Sequence, residues 1–118
     1  MYSFAEPFIK PTLNAKPSSN ITEGDRIQFE CSTVVARMHD IEIILQKNRT
    51  ILNSTVYKYV HEYSVRDEKL LKYSAVATLE DSGEYLCKVE QGRTSKTTKL
   101  NVVVSGNTSV HLRFYSVG

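Results

Sequence analysis

The chain has 118 residues, of which 41% are hydrophobic and 24% are charged, a balance that suits one globular domain and excludes a disordered or fibrous protein. Its net charge is only +2, and basic residues are scattered among acidic ones without a run of like charges, which argues against nucleic-acid binding. No apolar stretch is long enough to span a bilayer, so membrane attachment would depend on segments outside this chain.

Prolines mark the first part of the chain. Pro7, Pro11 and Pro17 all fall within residues 1–17. Because proline lacks a backbone N–H donor, this segment is predicted to be a linker or an edge strand rather than a central strand. The stretch from Pro7 to Pro11 could itself form a short first strand. The folded domain is predicted to cover residues 7–104.

The first clear strand follows a predicted turn at residues 20–25, where Gly24 can adopt a positive φ. Residues 26–32 then alternate between polar and apolar side chains, which is the pattern of a half-buried strand. Ile27, Phe29 and Cys31 share one face of this strand. That face is predicted to point into the core.

The middle of the chain contains a second apolar strand. Residues 41–47 are rich in β-branched side chains, and Ile43 and Leu45 are predicted to point inward. A turn at Asn48-Arg49 precedes a short strand that begins at residues 50–52. Further along, the sequence predicts a strand-like stretch at residues 56–60, a polar loop at 61–69 and another strand near 70–77.

The last third of the chain alternates again. A turn at Asp81-Ser82-Gly83 leads into residues 84–90, with Tyr85, Cys87 and Val89 on one strand face. A hairpin turn at residues 91–94 and a returning strand at 96–104 follow. Many short strands without helical periodicity predict an all-β antiparallel sandwich. Residues 105–118 are predicted to be a C-terminal extension, a linker or a non-native tail.

One motif identifies a family. Asp81-Ser-Gly-Glu-Tyr-Leu-Cys87 resembles the D-x-G-x-Y-x-C signature of the immunoglobulin superfamily. The resemblance implies a disulfide between Cys31 and Cys87 that joins two sheets, and a tyrosine corner at Tyr85. It also implies that Gly83 supplies the turn into the strand and that Asp81 pairs with Arg66. The expected subtype is the constant-2 or intermediate set.

The tryptophan that this family usually carries in its core is missing. Leu45, two residues before Lys47, occupies the matching position, so its neighbours must be larger or the sheets closer. The amino-acid sequence of the strands around Leu45 and Tyr85 resembles that of ectodomain modules of cell-adhesion receptors and of the Fc-receptor-like group. The resemblance implies one module of a receptor ectodomain.

The cysteines and the glycosylation triplets indicate an extracellular location. The two cysteines allow one disulfide, which would imply an oxidising compartment. Four N-glycosylation triplets occur, beginning at Asn20, Asn48, Asn53 and Asn107. Glycans on Asn48 and Asn53 would shield one sheet edge and its face. A protein partner would then favour the opposite sheet or the loops.

Other polar clusters have a functional and a structural interpretation. Asp40 and Glu42 could coordinate a cation but are more simply a solvated strand end. Tyr57, Tyr59 and Tyr63 alternate and could form a contact patch or pack into the core. Arg93, Lys96 and Lys99 could bind heparin or an acidic partner, although lysines on an edge strand also discourage aggregation.

Catalysis, a cofactor and a metal are not expected. His39, His61 and His111 are far apart in the sequence and show no ligand spacing. No G-x-S-x-G elbow is present, and no nucleophile is visibly paired with a base. The sequence therefore predicts a binding module and not an enzyme.

Three hypotheses about function remain open. The first is an extracellular immunoglobulin-like module of an adhesion or immune receptor, which acts by protein recognition, homophilic or heterophilic, or as a spacer. The second is a soluble decoy or receptor fragment that captures a cytokine or antibody. The third is an intracellular muscle-type domain, which reduced cysteines and unused glycosylation triplets would support.

Overall fold

The computed structural model describes residues 8–35, 40–58 and 67–106. These residues form eight β-strands and one turn of 3₁₀ helix at Leu79–Asp81. The strands are β1 Thr12–Lys16, β2 Asn20–Thr22, β3 Arg26–Val35, β4 Ile41–Lys47, β5 Thr50–Tyr57, β6 Asp67–Val76, β7 Gly83–Gln91 and β8 Thr94–Ser105.

The strands form two facing sheets. The first has the order β1-β3-β6 and the second has the order β2-β8-β7-β4-β5. All pairings are antiparallel except that between β2 and β8, which is parallel. The chain passes from the first sheet to the second between β1 and β2, and the Lys16–Pro17 peptide bond there is cis. The predicted all-β sandwich is confirmed.

The core lies between the sheets, where strand alternation places it. Ile27, Phe29 and Cys31 of β3 are at most 2% exposed, and so are Ile43 and Leu45 of β4. These are the inward faces that the sequence predicts. Each side chain of this size contributes about 1.5–3 kcal/mol when it is removed from water, so the alternating pattern is the main determinant of the fold.

The predicted disulfide joins the two layers of the sandwich. Cys31 lies on β3 in the three-stranded sheet, and Cys87 lies on β7 in the five-stranded sheet. Their Cα atoms are 5.9 Å apart, and both residues are fully buried. The inter-sheet disulfide expected from the immunoglobulin resemblance is therefore confirmed.

The residues that precede β1 contribute to the core. Phe8 is fully buried and forms an isolated antiparallel bridge with Val35. The Ile9 N–H donates to the Val34 carbonyl at 3.1 Å, and the buried Thr33 hydroxyl donates to the Ile9 carbonyl at 2.8 Å. The first regular strand begins at Thr12, directly after Pro11, because proline cannot donate to a ladder.

Several predicted boundaries differ from the structure. Asn20–Thr22, predicted as part of a turn, forms β2, and β3 continues to Val35 instead of ending at residue 32. Residues 50–57 form one strand, β5, whereas the sequence suggested separate pieces at 50–52 and 56–60. β6 starts at Asp67 and not near residue 70. The turn predicted at Asp81-Ser82-Gly83 overlaps a 3₁₀ turn at Leu79–Asp81, which is too short to leave a helical period in the sequence.

Candidate functional site

Tyr85 lies where β7 leaves the 3₁₀ turn. Its hydroxyl donates to the Asp81 carbonyl at 2.6 Å, and its ring stacks on Phe29 with centroids 4.4 Å apart. Burial, followed by the nearby Asp81 carboxylate and Tyr73, raises the pKa of the Tyr85 hydroxyl to about 12. The arrangement has the geometry of a tyrosine corner, which ties the β6–β7 connection to the core.

The Asp81 carboxylate caps the same turn. Its Oδ2 accepts hydrogen bonds from the Thr78 backbone N–H at 2.8 Å and from the Thr78 hydroxyl at 3.3 Å. This satisfies a donor at the start of the 3₁₀ turn that would otherwise have no partner in the helix. Arg66, which the sequence pairs with Asp81, lies outside the described residues.

Lys47 makes a contact that the sequence did not reveal. Its ammonium lies 5.9 Å from the centroid of the Tyr85 ring and donates to the Glu80 carbonyl. A Cβ on Gly83 would lie 3.2 Å from the Lys47 Cε, and Gly83 has a φ of +144°. Gly83 therefore provides the backbone conformation at the start of β7 and the space that Lys47 crosses.

Ser82 closes the same end of the sandwich. Its hydroxyl accepts from the Val104 N–H at 2.8 Å and donates to the Val104 carbonyl at 3.4 Å. One serine side chain thus holds the residue before β7 against the end of β8. Within the D-x-G-x-Y-x-C motif Ser82 stands at a variable position, so the motif gave no signal for this role.

Leu45 occupies the core position where the family usually has tryptophan. It is fully buried and is in register with Cys87 on β7. Phe8, Phe29 and Tyr85 belong to the same buried cluster. Three aromatic side chains thus supply volume in a core that has no indole, in line with the expectation of larger neighbours.

The glycosylation triplets lie in different environments. Asn20 is exposed on β2, and Asn48 is exposed in the β4–β5 turn with a φ of 55°. Asn53 is half-buried on β5, and its Nδ2 donates to the Lys72 carbonyl at 2.9 Å. Asn107 lies outside the described residues.

The basic residues after the last hairpin do not form one surface. Lys96 points inward, where its Nζ donates to the Phe8 carbonyl at 2.8 Å and lies 5.2 Å from the Phe8 ring centroid. Lys99 faces outward, 4.0 Å from Glu84, and Arg93 is exposed in the turn. β2 pairs only with residues 103–105 of β8, so the part of β8 that carries Lys96 and Lys99 pairs with β7 alone, and its other side is a sheet edge, as the edge-strand interpretation assumes.

The acidic pair at the start of β4 is divided between two environments. Asp40 is exposed, whereas Glu42 is half-buried on the outer face of β4, opposite Glu90 of β7. Lys88 lies 3.5 Å from Glu90 and partly neutralises this like-charge pair. Among the described residues no group of three or more His, Cys, Asp or Glu side chains could hold a metal ion.

Tyr57 is used inside the fold. Its hydroxyl donates to the Leu70 carbonyl at 2.5 Å, and the Lys69 ammonium lies 5.0 Å from its ring centroid. The side chain is half-buried, so it does not supply an exposed aromatic contact. Tyr59 and Tyr63, the other members of the predicted patch, fall outside the described ranges, as do the three histidines at positions 39, 61 and 111.

Exposed apolar side chains lie on the outer face of the five-stranded sheet. Ile51 is 58% exposed and Val56 is 50% exposed, both on β5. Ile44 of β4 shares this face but is only 6% exposed. The outer face of the three-stranded sheet is mixed: Gln28 lies opposite Ser74, whereas Val76 of β6, opposite Arg26, is 55% exposed. Both outer faces of the sandwich therefore expose some apolar surface.

Two sheets joined by a buried disulfide, with a tyrosine corner beside it, define an immunoglobulin domain. The family model described as "Immunoglobulin domain" matches residues 10–104, and the chain belongs to this family. It is similar to platelet endothelial cell adhesion molecule of Rattus norvegicus, with 32% identity over 102 residues, and of Bos taurus, with 35% identity over 102 residues. The Mus musculus protein is 31% identical over the same length.

Each match covers 85% of this chain but only 12–14% of the relative. The chain thus corresponds to one adhesion-type immunoglobulin module within much longer proteins. Within the described ranges, no helix has the length and apolar character needed to cross a bilayer.

Proposed function

We propose that this chain is an extracellular module of a cell-surface adhesion or immune receptor, which acts by non-covalent protein recognition or as a spacer. The observation that carries the proposal is the 31–35% identity to platelet endothelial cell adhesion molecule over 85% of the chain. The relatives' name describes adhesion, which is a binding function, and the proposal therefore contains no catalytic step.

The chemistry of the chain supports an extracellular location. A buried disulfide forms and persists in oxidising compartments and is rare in the cytosol. Asn20 and Asn48 are exposed acceptors of N-glycosylation triplets, which are used only in secreted chains. These two features belong together in a secreted or surface-anchored protein and not in a muscle-type intracellular domain.

The outer face of β4 and β5 is the contact surface that we propose. Ile51 and Val56 expose apolar surface there, and apolar surface surrounded by polar groups is typical of protein interfaces. Two glycans were expected to shield this face. Asn53, however, points toward the other sheet, so of the two acceptors only Asn48 remains, at the turn that ends the face.

A binding assay on the glycosylated, disulfide-bonded domain tests the proposal. The domain is displayed as an oligomer and measured against immobilised copies of itself and against intact cells. We expect saturable binding that Val56→Lys on the outer β5 face abolishes and that Ser74→Lys on the opposite sheet leaves intact. A domain that binds neither itself nor cells would refute recognition and leave only the spacer role.

A further inference from the structure

We propose that the glycosylation triplets at Asn20, Asn48 and Asn53 are not equivalent: the folded, secreted domain carries N-linked glycans on Asn20 and Asn48, whereas the Asn53 amide is a structural clip between the sheets and stays unmodified. The proposal rests on the extracellular function proposed above, since only a chain that passes through the secretory compartment meets the glycosylation machinery.

Both polar atoms of the Asn53 side-chain amide make hydrogen bonds. Its Nδ2 donates to the Lys72 carbonyl of β6 at 2.9 Å, and its Oδ1 accepts from the Ser54 N–H at 3.0 Å. The residue is half-buried and in register with Leu45, so it faces the interior of the sandwich. One of the two hydrogens on the nitrogen that a glycan would modify is therefore already used.

A second side chain of β5 makes the same kind of bond. The Tyr57 hydroxyl donates to the Leu70 carbonyl, two residues before Lys72 on β6. β5 and β6 are edge strands of different sheets and do not pair with each other. Asn53 and Tyr57 are four residues apart, so they point to the same side of β5. Together they replace the missing backbone ladder by capping two edge carbonyls of β6.

Glycosylation at Asn53 is incompatible with this clip. Transfer from a lipid-linked pyrophosphate donor forms a bond between Nδ2 and the sugar C1, breaks the bond between C1 and the pyrophosphate oxygen, and removes one amide proton. Whichever hydrogen is replaced, the first sugar ring must stand at the seam between β5 and β6. Loss of the bond would remove this link between the two edge strands and leave the exposed Lys72 carbonyl to bind water instead.

Transfer takes place on the unfolded chain, so the restriction acts through folding. A chain with a sugar on Asn53 cannot close the seam in the geometry described here. It is expected to be retained, while chains that escape modification at Asn53 fold and are secreted. The secreted population should therefore lack this glycan even though the triplet itself is intact.

Asn48 and Asn20 have no such restriction. Both side chains are exposed, and within the described residues neither side-chain amide makes a hydrogen bond. At Asn48 it is the backbone carbonyl that accepts from the Gln46 amide, at 3.1 Å. At Asn20 it is the backbone N–H and carbonyl that contact the Ser18 hydroxyl. A sugar on either nitrogen would point into solvent.

The test removes each triplet through its hydroxyl residue, which leaves the asparagines in place. The wild-type, Thr50→Val and Thr55→Val proteins are secreted from mammalian cells, and their intact masses are measured by mass spectrometry. Lys-C cleavage releases residues 48–58, and enzymatic deglycosylation in heavy-oxygen water marks each modified asparagine. We expect Thr50→Val to lose one glycan and Thr55→Val to lose none, with label at Asn20 and Asn48 and none at Asn53.

The failures can be told apart. Label at Asn53 comparable to that at Asn48, or loss of one glycan in Thr55→Val, would overturn the inference and leave the extracellular function standing. A folded secreted domain with no label at any of the three asparagines would overturn both the inference and the glycoprotein part of the proposed function.

Discussion

Replacing Tyr85 with phenylalanine isolates the contribution of one hydroxyl. The variant keeps the ring that stacks on Phe29 and loses the hydrogen bond to the Asp81 carbonyl. A buried hydrogen bond of this kind contributes about 1–1.5 kcal/mol net. At pH 7 we therefore expect the free energy of unfolding to fall by that amount. In a domain of this size the melting temperature should fall by roughly 4–6 °C.

The same variant should show a distinct pH dependence. The folded-state pKa of Tyr85 is raised to about 12, so between pH 10 and 12 the native state holds a proton that the unfolded state loses. The stability that comes from keeping this phenol neutral is present in full below pH 10 and is lost as the pH rises toward 12. About 1.4 kcal/mol is lost by pH 11, which matches the value of the hydrogen bond. The wild-type and Tyr85→Phe stabilities should meet near pH 11.

Urea unfolding followed by far-ultraviolet circular dichroism at several pH values from 7 to 11 measures both effects. The chain has no tryptophan, so backbone dichroism is the more suitable signal. A difference between the two proteins that stays constant up to pH 11 would refute the argument that burial holds the hydroxyl neutral. No difference at pH 7 would show that the bond to the Asp81 carbonyl contributes nothing net.

Three further changes test the remaining contacts. Replacing Cys31 and Cys87 with alanine removes a link across a sequence separation of 56, so denaturant titration should show a loss of about 4 kcal/mol. Asn53→Ala should lower the free energy of unfolding by about 1–2 kcal/mol in the same titration. The control Thr55→Val should change it by under about 0.5 kcal/mol, and equal effects of the two substitutions would contradict the structural role of the Asn53 amide. Lys47→Met keeps the apolar part of the side chain but removes the ammonium above Tyr85. The free energy of unfolding should fall by about 0.5–1.5 kcal/mol, and this difference should persist at high salt.

Local alternation is sufficient to predict most of the core. Ile27, Phe29 and Cys31 were assigned to one face because a strand has a period of two, and the structure buries all three. The same holds for Tyr85 and Cys87 on β7. The disulfide needed more than periodicity, because the partner strands lie in different sheets. The tyrosine motif supplied that link through family resemblance.

Contacts between distant elements were harder to predict, for physical reasons. Lys96 belongs to a run in which both strand faces are polar, so alternation could not show that it points inward to Phe8. The role of Asn53 depends on where β6 passes beside β5, and the intervening residues carry no periodic signal. Its triplet indicated a glycan, whereas its hydrogen bonds depend on the packing of two sheet edges.

The positions where the described chain begins and finishes bear on the spacer role. Phe8 pairs with Val35 at the C-terminal end of β3. The Ser105 carbonyl accepts a hydrogen bond from the Glu23 N–H, close to Arg26 at the N-terminal end of the same strand. β3 has ten residues and so measures about 33 Å at the usual rise. The described backbone therefore enters at one end of the sandwich and leaves at the other, so the domain separates Phe8 from Ser105 by about the length of a sheet. Because side chains hold Phe8 and Val104 at the two ends, this separation is fixed by the fold, as a spacing element requires.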